Sequence, residues 1–219
     1  MKRLIVGISG ASGVIYGIRI LELLRETREF ELHLVMTRFA RINIEIETDL
    51  SPKYVESLAD EVHSDKNQAA TISSGSFKTE GMIVAPCSMR TLSAITHSMS
   101  DNLLTRAADV VLKDRRRLVL MPREAPLHLG HCKLMYEAAQ LGAIIAPPMP
   151  AFYNRPETID EIINHSVGRV LELFDIDLGI LKRWEGHKAE KSRAVALQSA
   201  GEKPEQPNGK RLVTQTKEI

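Results

Sequence analysis

The sequence has few cysteines, little net charge and no long apolar run, and each shortage excludes a class of protein. Its two cysteines, Cys87 and Cys132, stand far apart, which excludes a disulfide framework and a paired-cysteine metal motif. No stretch approaches the roughly 18 unbroken apolar residues of a membrane span, and glycines interrupt the first apolar run too early for a signal peptide. A formal net charge of +1 argues against a general nucleic-acid surface. We therefore expect a cytoplasmic protein with no membrane or nucleic-acid partner.

Short apolar runs alternate with helical patterns through most of the chain. Strands are predicted at residues 3–8, 31–36, 81–86, 117–121 and 142–147, because nearly continuous apolar runs are typical of parallel strands covered on both faces. The segments between them place apolar residues on one helical face, and the last helix opens near Pro156 with Ile159 and Ile163 on its buried side. The alternation predicts a doubly wound α/β fold, a parallel sheet with helices on both faces and ligands at the carboxyl ends of its strands.

The character of the chain changes after Trp184. Residues 185–219 are charged, poor in aromatic side chains and without a sustained hydrophobic period. Such a segment has too little apolar surface to offset the entropy of ordering it. We predict one domain over residues 1–184 and a disordered tail over 185–219.

The stretch GISGASG, residues 7–13, turns the first predicted strand into the first helix. Bare backbone N–H groups at a helix start attract anions, most often phosphate, although a plain tight turn explains the glycines equally well. The stretch is neither the dinucleotide fingerprint nor a Walker loop. The second strand then runs into Thr37 and Arg38, where an NAD site usually has an acid. FMN fits this pattern better than NAD, and NADP held by Arg38 stays a minor alternative.

Polar residues follow the later strands as well. PCSMRT, residues 86–91, begins a helix, and Cys87 within it is interpreted as a small buried residue rather than a nucleophile. Arg123 follows the fourth predicted strand on the ligand side. Tyr153 follows the fifth, where a packing role and a site role are equally supported. The pair in HLGH, residues 128–131, lacks matching carboxylates, so a metal site is not expected.

Seven motifs occur in an order that is typical of one family: GISGASG, ETD at 47–49, PCSMRT, RAADVVLK, PREAP, PAFY and a final RW. On these motifs the chain resembles the UbiX-type flavin prenyltransferases over about residues 1–184. The resemblance implies a flavodoxin-like (Rossmann-like) fold, FMN as cofactor, and a homo-oligomer, most often a dodecamer with sites shared between subunits. It also implies transfer of a dimethylallyl group from dimethylallyl phosphate to reduced FMN without a metal. The product, prenylated FMN, serves UbiD-type decarboxylases.

The resemblance also implies roles for individual residues, which are expected to converge beside the flavin. Residues matching the FMN site are Gly10, Ala11, Ser12, Thr37, Ser88, Met89, Arg90, Thr91, Arg106 and Arg123. Residues matching the prenyl-phosphate site are Lys113, Glu124, Tyr153 and Arg169. Catalytic roles fall to Ser12, Glu47, Lys113, Glu124 and Trp184, the carboxylates moving protons and the indole covering the allyl group.

Two other functions stay open on the sequence. One is a flavin-dependent cysteine decarboxylase of the phosphopantothenoylcysteine type, which shares this fold but carries Asn where this chain has PCSMRT. The other is a non-catalytic FMN-binding subunit of an aromatic acid decarboxylase. A pure binding module would not need Lys113, Glu124, Tyr153 and Arg169 together, which favours the transferase.

Overall fold

The computed structural model describes residues 1–184 and 186. Residues 1–182 form one compact unit, and a second unit begins at Arg183. The tail predicted over 185–219 lies, apart from Gly186, outside the described residues. Within the described part of the chain, no helix is both long and apolar enough to cross a membrane.

The compact unit contains a six-stranded, all-parallel sheet in the order β3-β2-β1-β4-β5-β6. Its strands are β1 (Lys2–Ile8), β2 (Phe30–Met36), β3 (Glu61–Ser64), β4 (Gly81–Cys87), β5 (Arg117–Pro122) and β6 (Ile144–Ile145). Most residues of β1, β2, β4 and β5 are buried, because helices cover both faces. The doubly wound α/β fold predicted from the sequence is confirmed.

The helices divide into two layers. The α-helices are α1 (Val14–Thr27), α2 (Arg38–Glu47), α3 (Pro52–Ser57), α4 (Met89–Thr96), α5 (Leu103–Lys113), α6 (Leu129–Gln140) and α7 (Ile159–Glu172). Buried side chains of α1, α2, α3 and α7 belong to one apolar cluster, and those of α4, α5 and α6 belong to a second. The two clusters lie on opposite faces of the sheet, since alternate residues of β1 and β4 contribute to each.

The sequence did not predict β3, α2 or α6, and each of these elements buries few or none of its residues. Strand β3 is an edge strand with no buried residue. Helix α2 buries only Ala40 and Ile44, and α6 buries only Ala138, so neither shows a full apolar face in the sequence. A helix or strand is recognised in a sequence by the regular spacing of the apolar residues that it buries, and these three elements bury few residues.

Two boundaries also differ from prediction. Helix α7 starts at Ile159 behind the cap Thr158, so Pro156 precedes the helix and Ile159, predicted to be buried, is 77% exposed. The last predicted strand, 142–147, is reduced to Ile144–Ile145. Pro147 and Pro148 follow after Ala146, and proline cannot donate a backbone N–H to the ladder.

The order of the strands places a crevice between β1 and β4. The chain winds from β1 outward to β3, then crosses to β4 and winds the other way to β6. In open α/β sheets, ligands bind at the carboxyl ends of the strands where the winding reverses. Here the two segments that flank that point are GISGASG and CSMRT.

Candidate active site at the switch point

Ser9 joins the two strand ends that flank the crevice. Its hydroxyl donates to the Pro86 carbonyl (2.9 Å) and accepts from the Ser88 N–H (2.7 Å), and it is fully buried. Its own N–H also bonds the Pro86 carbonyl. The buried hydroxyl thereby both donates and accepts a hydrogen bond, and these bonds tie the loop after β1 to the loop after β4. The sequence prediction did not include Ser9. Its place directly after a strand was the available signal.

The glycines of the first loop are required by its geometry. Gly13 has φ +98°, in the left-handed region that disfavours a side chain. A Cβ on Gly10 would lie 2.4 Å from the Cβ of Phe39, so α2 approaches this loop too closely for any larger residue. The loop is therefore built into a narrow space between β1 and α2.

An anion does occupy the start of α1, and it is a side chain of the protein itself. Glu47 Oε2 accepts from the Gly13 N–H (2.7 Å) and the Val14 N–H (3.2 Å). Gly13 offers no side-chain cap, so this carboxylate replaces one at the positive end of the helix dipole. The prediction that this corner suits an anion is correct in kind, but these two N–H groups already have a partner.

Helix α2 holds the same loop at a second point. Asn43 donates from Nδ2 to the Ala11 carbonyl (3.1 Å), and Asn43 lies one turn before Glu47. Gly10, Ala11 and Ser12, the loop residues predicted to meet FMN, thus lie against α2. Thr37 caps the start of that helix by accepting from the Ala40 N–H (3.2 Å). Asn43 was not recognised in the sequence, because the helix that carries it was not predicted.

The start of α4 lies directly beside this loop. Ser88 caps it, accepting from the Thr91 N–H (3.2 Å) and donating to the Thr91 hydroxyl (3.0 Å). Met89 follows at the first helical position, and the Arg90 side chain is 83% exposed. Arg123 is exposed just past β5, with its N–H bonded to the Cys87 carbonyl (3.2 Å). A helix start with capping hydroxyl and free-end N–H groups, beside two arginine positions, suits a phosphate monoester, although the Arg90 guanidinium lies 3.8 Å from Asp101 in this structure.

Cys87 is a packing residue. It is fully buried in the second apolar cluster, and burial raises the pKa of its thiol far above the usual range. A protonated, enclosed thiol is a poor nucleophile. The interpretation of Cys87 as a small buried residue is confirmed.

Tyr153 and Arg169 lie on the face of the sheet that α1 and α7 cover. The Tyr153 hydroxyl is 2.9 Å from His165 Nε2 on α7, and Arg169 stands one turn after His165. The Arg169 side chain is 61% exposed and pairs with Glu172. Its neighbours Val170 and Leu171 are buried in the apolar cluster, but they do not enclose the Arg169 side chain.

Arg106 and Lys113 lie on the opposite face, on α5. Arg106 donates to the Ser73 carbonyl (3.2 Å) and pairs with Asp109 (2.9 Å). Lys113 ends the helix and donates to Asp114 (2.7 Å), a hydrogen bond that lowers the pKa of the Asp114 carboxyl. The end of α5 leads into the amino end of β5, whereas the flavin-side loops follow the carboxyl ends of strands.

A single chain therefore does not gather all the predicted site residues. It brings together the loop Gly10–Ser12, Glu47, Thr37, Ser88–Thr91 and Arg123, with Glu124 beside Arg123 and bonded to the Ala125 N–H (3.0 Å). It leaves Arg106 and Lys113 on one face of the sheet and Tyr153 and Arg169 on the other. Their convergence beside one flavin stays a prediction, in keeping with the sites shared between subunits that the family resemblance implies. Trp184 belongs to the second unit and is 57% exposed.

The histidines of HLGH pack on each other rather than around an ion. The rings of His128 and His131 have centroids 3.6 Å apart, and His128 caps α6 by accepting from the Gly130 N–H. Among the residues that the structure describes, no group of three or more His, Cys, Asp or Glu side chains is arranged to hold a metal ion.

Comparison with known proteins agrees with this geometry. A flavoprotein family model matches residues 1–169. The flavin prenyltransferase UbiX of Escherichia coli K12 is 58% identical over 188 residues, covering 85% of this chain and all of the relative. The crystal structure of a dodecameric FMN-dependent UbiX-like decarboxylase from E. coli O157:H7 superposes with a TM-score of 0.83, at 51% identity over 84% of this chain and all of that one.

A second solved structure, of a UbiX protein in complex with FMN and dimethylallyl pyrophosphate, also has a TM-score of 0.83. It is 49% identical and covers 84% of this chain and 98% of that chain. A structure of a PPC decarboxylase, 18% identical with a TM-score of 0.56, shares only the fold.

The fold and the crevice at its switch point define a flavoprotein of the flavodoxin-like class. Within that class the matches are high in identity and span whole relatives. The chain belongs to the UbiX-type flavin prenyltransferase family, as the ordered sequence motifs predicted.

Proposed function

We propose that this protein is a flavin prenyltransferase that joins a dimethylallyl group from dimethylallyl phosphate to reduced FMN. The observation that carries the proposal is the 58% identity to a flavin prenyltransferase along that relative's entire length. The narrow loop Gly10–Ser12 and the start of α4, side by side at the switch point, support FMN as the cofactor.

The flavin side of the site would be held by residues that one chain already brings together. Ser88, Thr91 and the first turn of α4 offer hydroxyl and N–H groups to the FMN phosphate, with Arg90 and Arg123 as counter-charges. The loop Gly10–Ser12 lies against the flavin. When bound, reduced FMN supplies the nucleophilic ring atoms to which the dimethylallyl group is joined.

The chain's own residues promote departure of the phosphate. Breaking the allylic carbon–oxygen bond leaves negative charge on phosphate, and Lys113, Arg169 and the Tyr153 hydroxyl are donors for it. Charge-assisted hydrogen bonds contribute about 1.5–3 kcal/mol each, so three that strengthen with the charge contribute roughly 4–9 kcal/mol to the transition state. A helix dipole, at about 0.3–2 kcal/mol, is too weak to do this alone.

Proton transfer falls to Ser12, Glu47 and Glu124. Glu47 lies at the loop that carries Ser12, so a proton released near that hydroxyl has a carboxylate within the same corner. Glu124 lies after β5, on the same carboxyl edge. A carboxylate at such a position serves as general acid or base.

The complete site would be formed between subunits. Lys113 and Arg106 lie on a helix of the opposite layer from Tyr153 and Arg169, which supports a site in which a second copy brings the other set to the flavin. The dodecameric relative supports a closed homo-oligomer of this chain, in which each interface repeats. The product would be taken up by a UbiD-type decarboxylase, and the enzyme would work without a metal in the cytoplasm.

Mass spectrometry of the bound flavin tests the activity. Protein loaded with FMN is incubated with dithionite and dimethylallyl phosphate, and the flavin is then released and weighed. A gain of one dimethylallyl unit is expected. Unchanged FMN would support a non-catalytic FMN-binding subunit, and carbon dioxide release from a cysteine-derived acid would support the decarboxylase alternative. Ser51→Ala, which removes the cap of α3 and none of the predicted site residues, is a control for loss of folding.

Mixing two inactive variants tests the shared site. Lys113→Ala and Arg169→Ala are each expected to bind FMN and to form little product. When they are co-expressed, sites that take Lys113 from one subunit and Arg169 from another regain both, about a quarter of all sites in a random mixture. Recovery to about that level is expected. Failure of the mixture to recover, with normal oligomer size, would show that each site uses one chain only.

A further inference from the structure

His165 is a buried titratable residue to which the proposed chemistry assigns no role. It is 8% exposed, whereas Tyr153 is 48% exposed, and the Tyr153 hydroxyl lies 2.9 Å from its Nε2. The two rings meet edge to face with centroids 5.7 Å apart. The bond therefore holds a partly exposed phenol against a fixed imidazole on α7.

The direction of this hydrogen bond depends on the protonation of the ring. Burial, together with the positive charge of Arg169, lowers the pKa of His165, so the ring is neutral at pH 7 and has a single N–H. If that proton is on Nε2, the imidazole donates and the phenol keeps its own proton for another acceptor. If that proton is on Nδ1, the phenol donates its own proton to Nε2 of the ring.

We propose that His165 is a positioning residue, whose Nε2–H donates to the Tyr153 oxygen and thereby directs the hydroxyl proton of Tyr153 to the phosphate of the prenyl substrate. The inference rests on the proposed function, because it requires Tyr153 to bind that phosphate. Arg169, at i+4 from His165, projects from the same side of α7. Helix α7 would thus orient two donors for one phosphate. It carries the Arg169 guanidinium itself, and it orients the Tyr153 hydroxyl through the His165 imidazole.

Four variants separate this role from a purely structural one. His165→Leu removes the donor, and His165→Asn has an amide too short to reach Tyr153. His165→Gln keeps a donor near the position of Nε2. Tyr153→Phe removes the hydroxyl itself.

The measured quantity is kcat/KM for dimethylallyl phosphate, with FMN occupancy checked by absorbance. His165→Leu, His165→Asn and Tyr153→Phe are each expected to lower kcat/KM about tenfold, because each removes one hydrogen bond of ordinary strength. His165→Gln should stay within about threefold of wild type, and the double variant His165→Leu/Tyr153→Phe should be no slower than either single variant.

The outcomes distinguish this inference from the function on which it rests. If wild-type protein forms no prenylated FMN, the proposed function fails. If wild type is active, the role of His165 is overturned by multiplicative losses in the double variant, or by a His165→Gln protein as slow as the donor-free variants. Full activity of either donor-free variant overturns it equally. Should His165→Leu not fold, His165→Asn provides the same comparison.

Discussion

Removing the Glu47 carboxylate should loosen the corner on which the flavin loop is built. Glu47 accepts two backbone N–H bonds at the start of α1, where Gly13 supplies no cap of its own. Loss of a helix cap costs about 0.5–2 kcal/mol, and loss of a negative charge near the dipole costs about 0.3–1 kcal/mol. Because Glu47 is exposed, water screens it, and we expect Glu47→Ala to lose about 1–2 kcal/mol of unfolding free energy.

For a domain of this size that loss lowers Tm by about 2–8 °C. Glu47→Gln keeps an oxygen that accepts both N–H bonds and should lose less than half as much. Glu45→Ala is the matched control, an exposed glutamate on the same helix. Thermal unfolding is compared at fixed protein and FMN concentrations, because bound ligand and assembly shift Tm.

The same pair of variants separates the structural role of Glu47 from its catalytic one. A cap needs only an acceptor, whereas proton transfer needs a carboxyl group. If both roles exist, Glu47→Gln is nearly as stable as wild type yet makes little prenylated FMN. A Glu47→Ala protein that melts with the Glu45→Ala control would refute the cap. A Glu47→Gln protein with wild-type turnover would remove Glu47 from proton transfer.

Three further predictions concern other parts of the molecule. Burial lowers the pKa of His63 and of His165, so below about pH 6.5 the unfolded chain binds more protons than the native one. The unfolding free energy should therefore fall as the pH drops, by up to roughly 1.4 kcal/mol per pH unit for each histidine. Urea unfolding at several pH values measures this fall, and His63→Phe should make it less steep. Cys87→Ala should keep full prenyl transfer in the mass-spectrometric assay, and a large loss of activity with FMN still bound would contradict its role as a packing residue. Arg169→Ala should change stability by less than about 1 kcal/mol, because the Arg169 side chain is 61% exposed and water screens its pair with the half-buried Glu172. The same variant should slow single-turnover prenylation at least tenfold, and a wild-type rate would show that Arg169 has no part in prenyl transfer.

The sheet and the helices with full apolar faces were predictable from the sequence. Strands β1, β2, β4 and β5 have continuous apolar runs because both of their faces are covered, and α5 buries an apolar face with helical spacing, from Leu103 to Val111. Helices α2 and α6 escaped prediction because little of their surface is buried within one chain.

The chemistry of the flavin corner was predictable in kind but not in detail. Glycines between a strand and a helix indicate an anion at the helix start. The anion at the start of α1 is the carboxylate of Glu47, which lies 34 positions after Gly13 in the chain. Glu47 is carried by α2, a helix that the sequence did not predict. Ser9 and Asn43, which fix the loop, make contacts of the same long-range kind.

The division of the residues predicted to bind the prenyl phosphate between two faces of the sheet follows from topology. Residues that follow strands all emerge at the carboxyl edge, so their convergence can be inferred from order along the chain. Lys113 ends a helix that leads back to the amino edge, and Arg169 lies on a helix of the other layer. A linear motif set names the groups that the chemistry needs, but it does not say which of them one fold can bring together. If the site is shared between subunits, as proposed, a mutation that only weakens a subunit contact should abolish prenyl transfer while FMN binding at the carboxyl edge is kept.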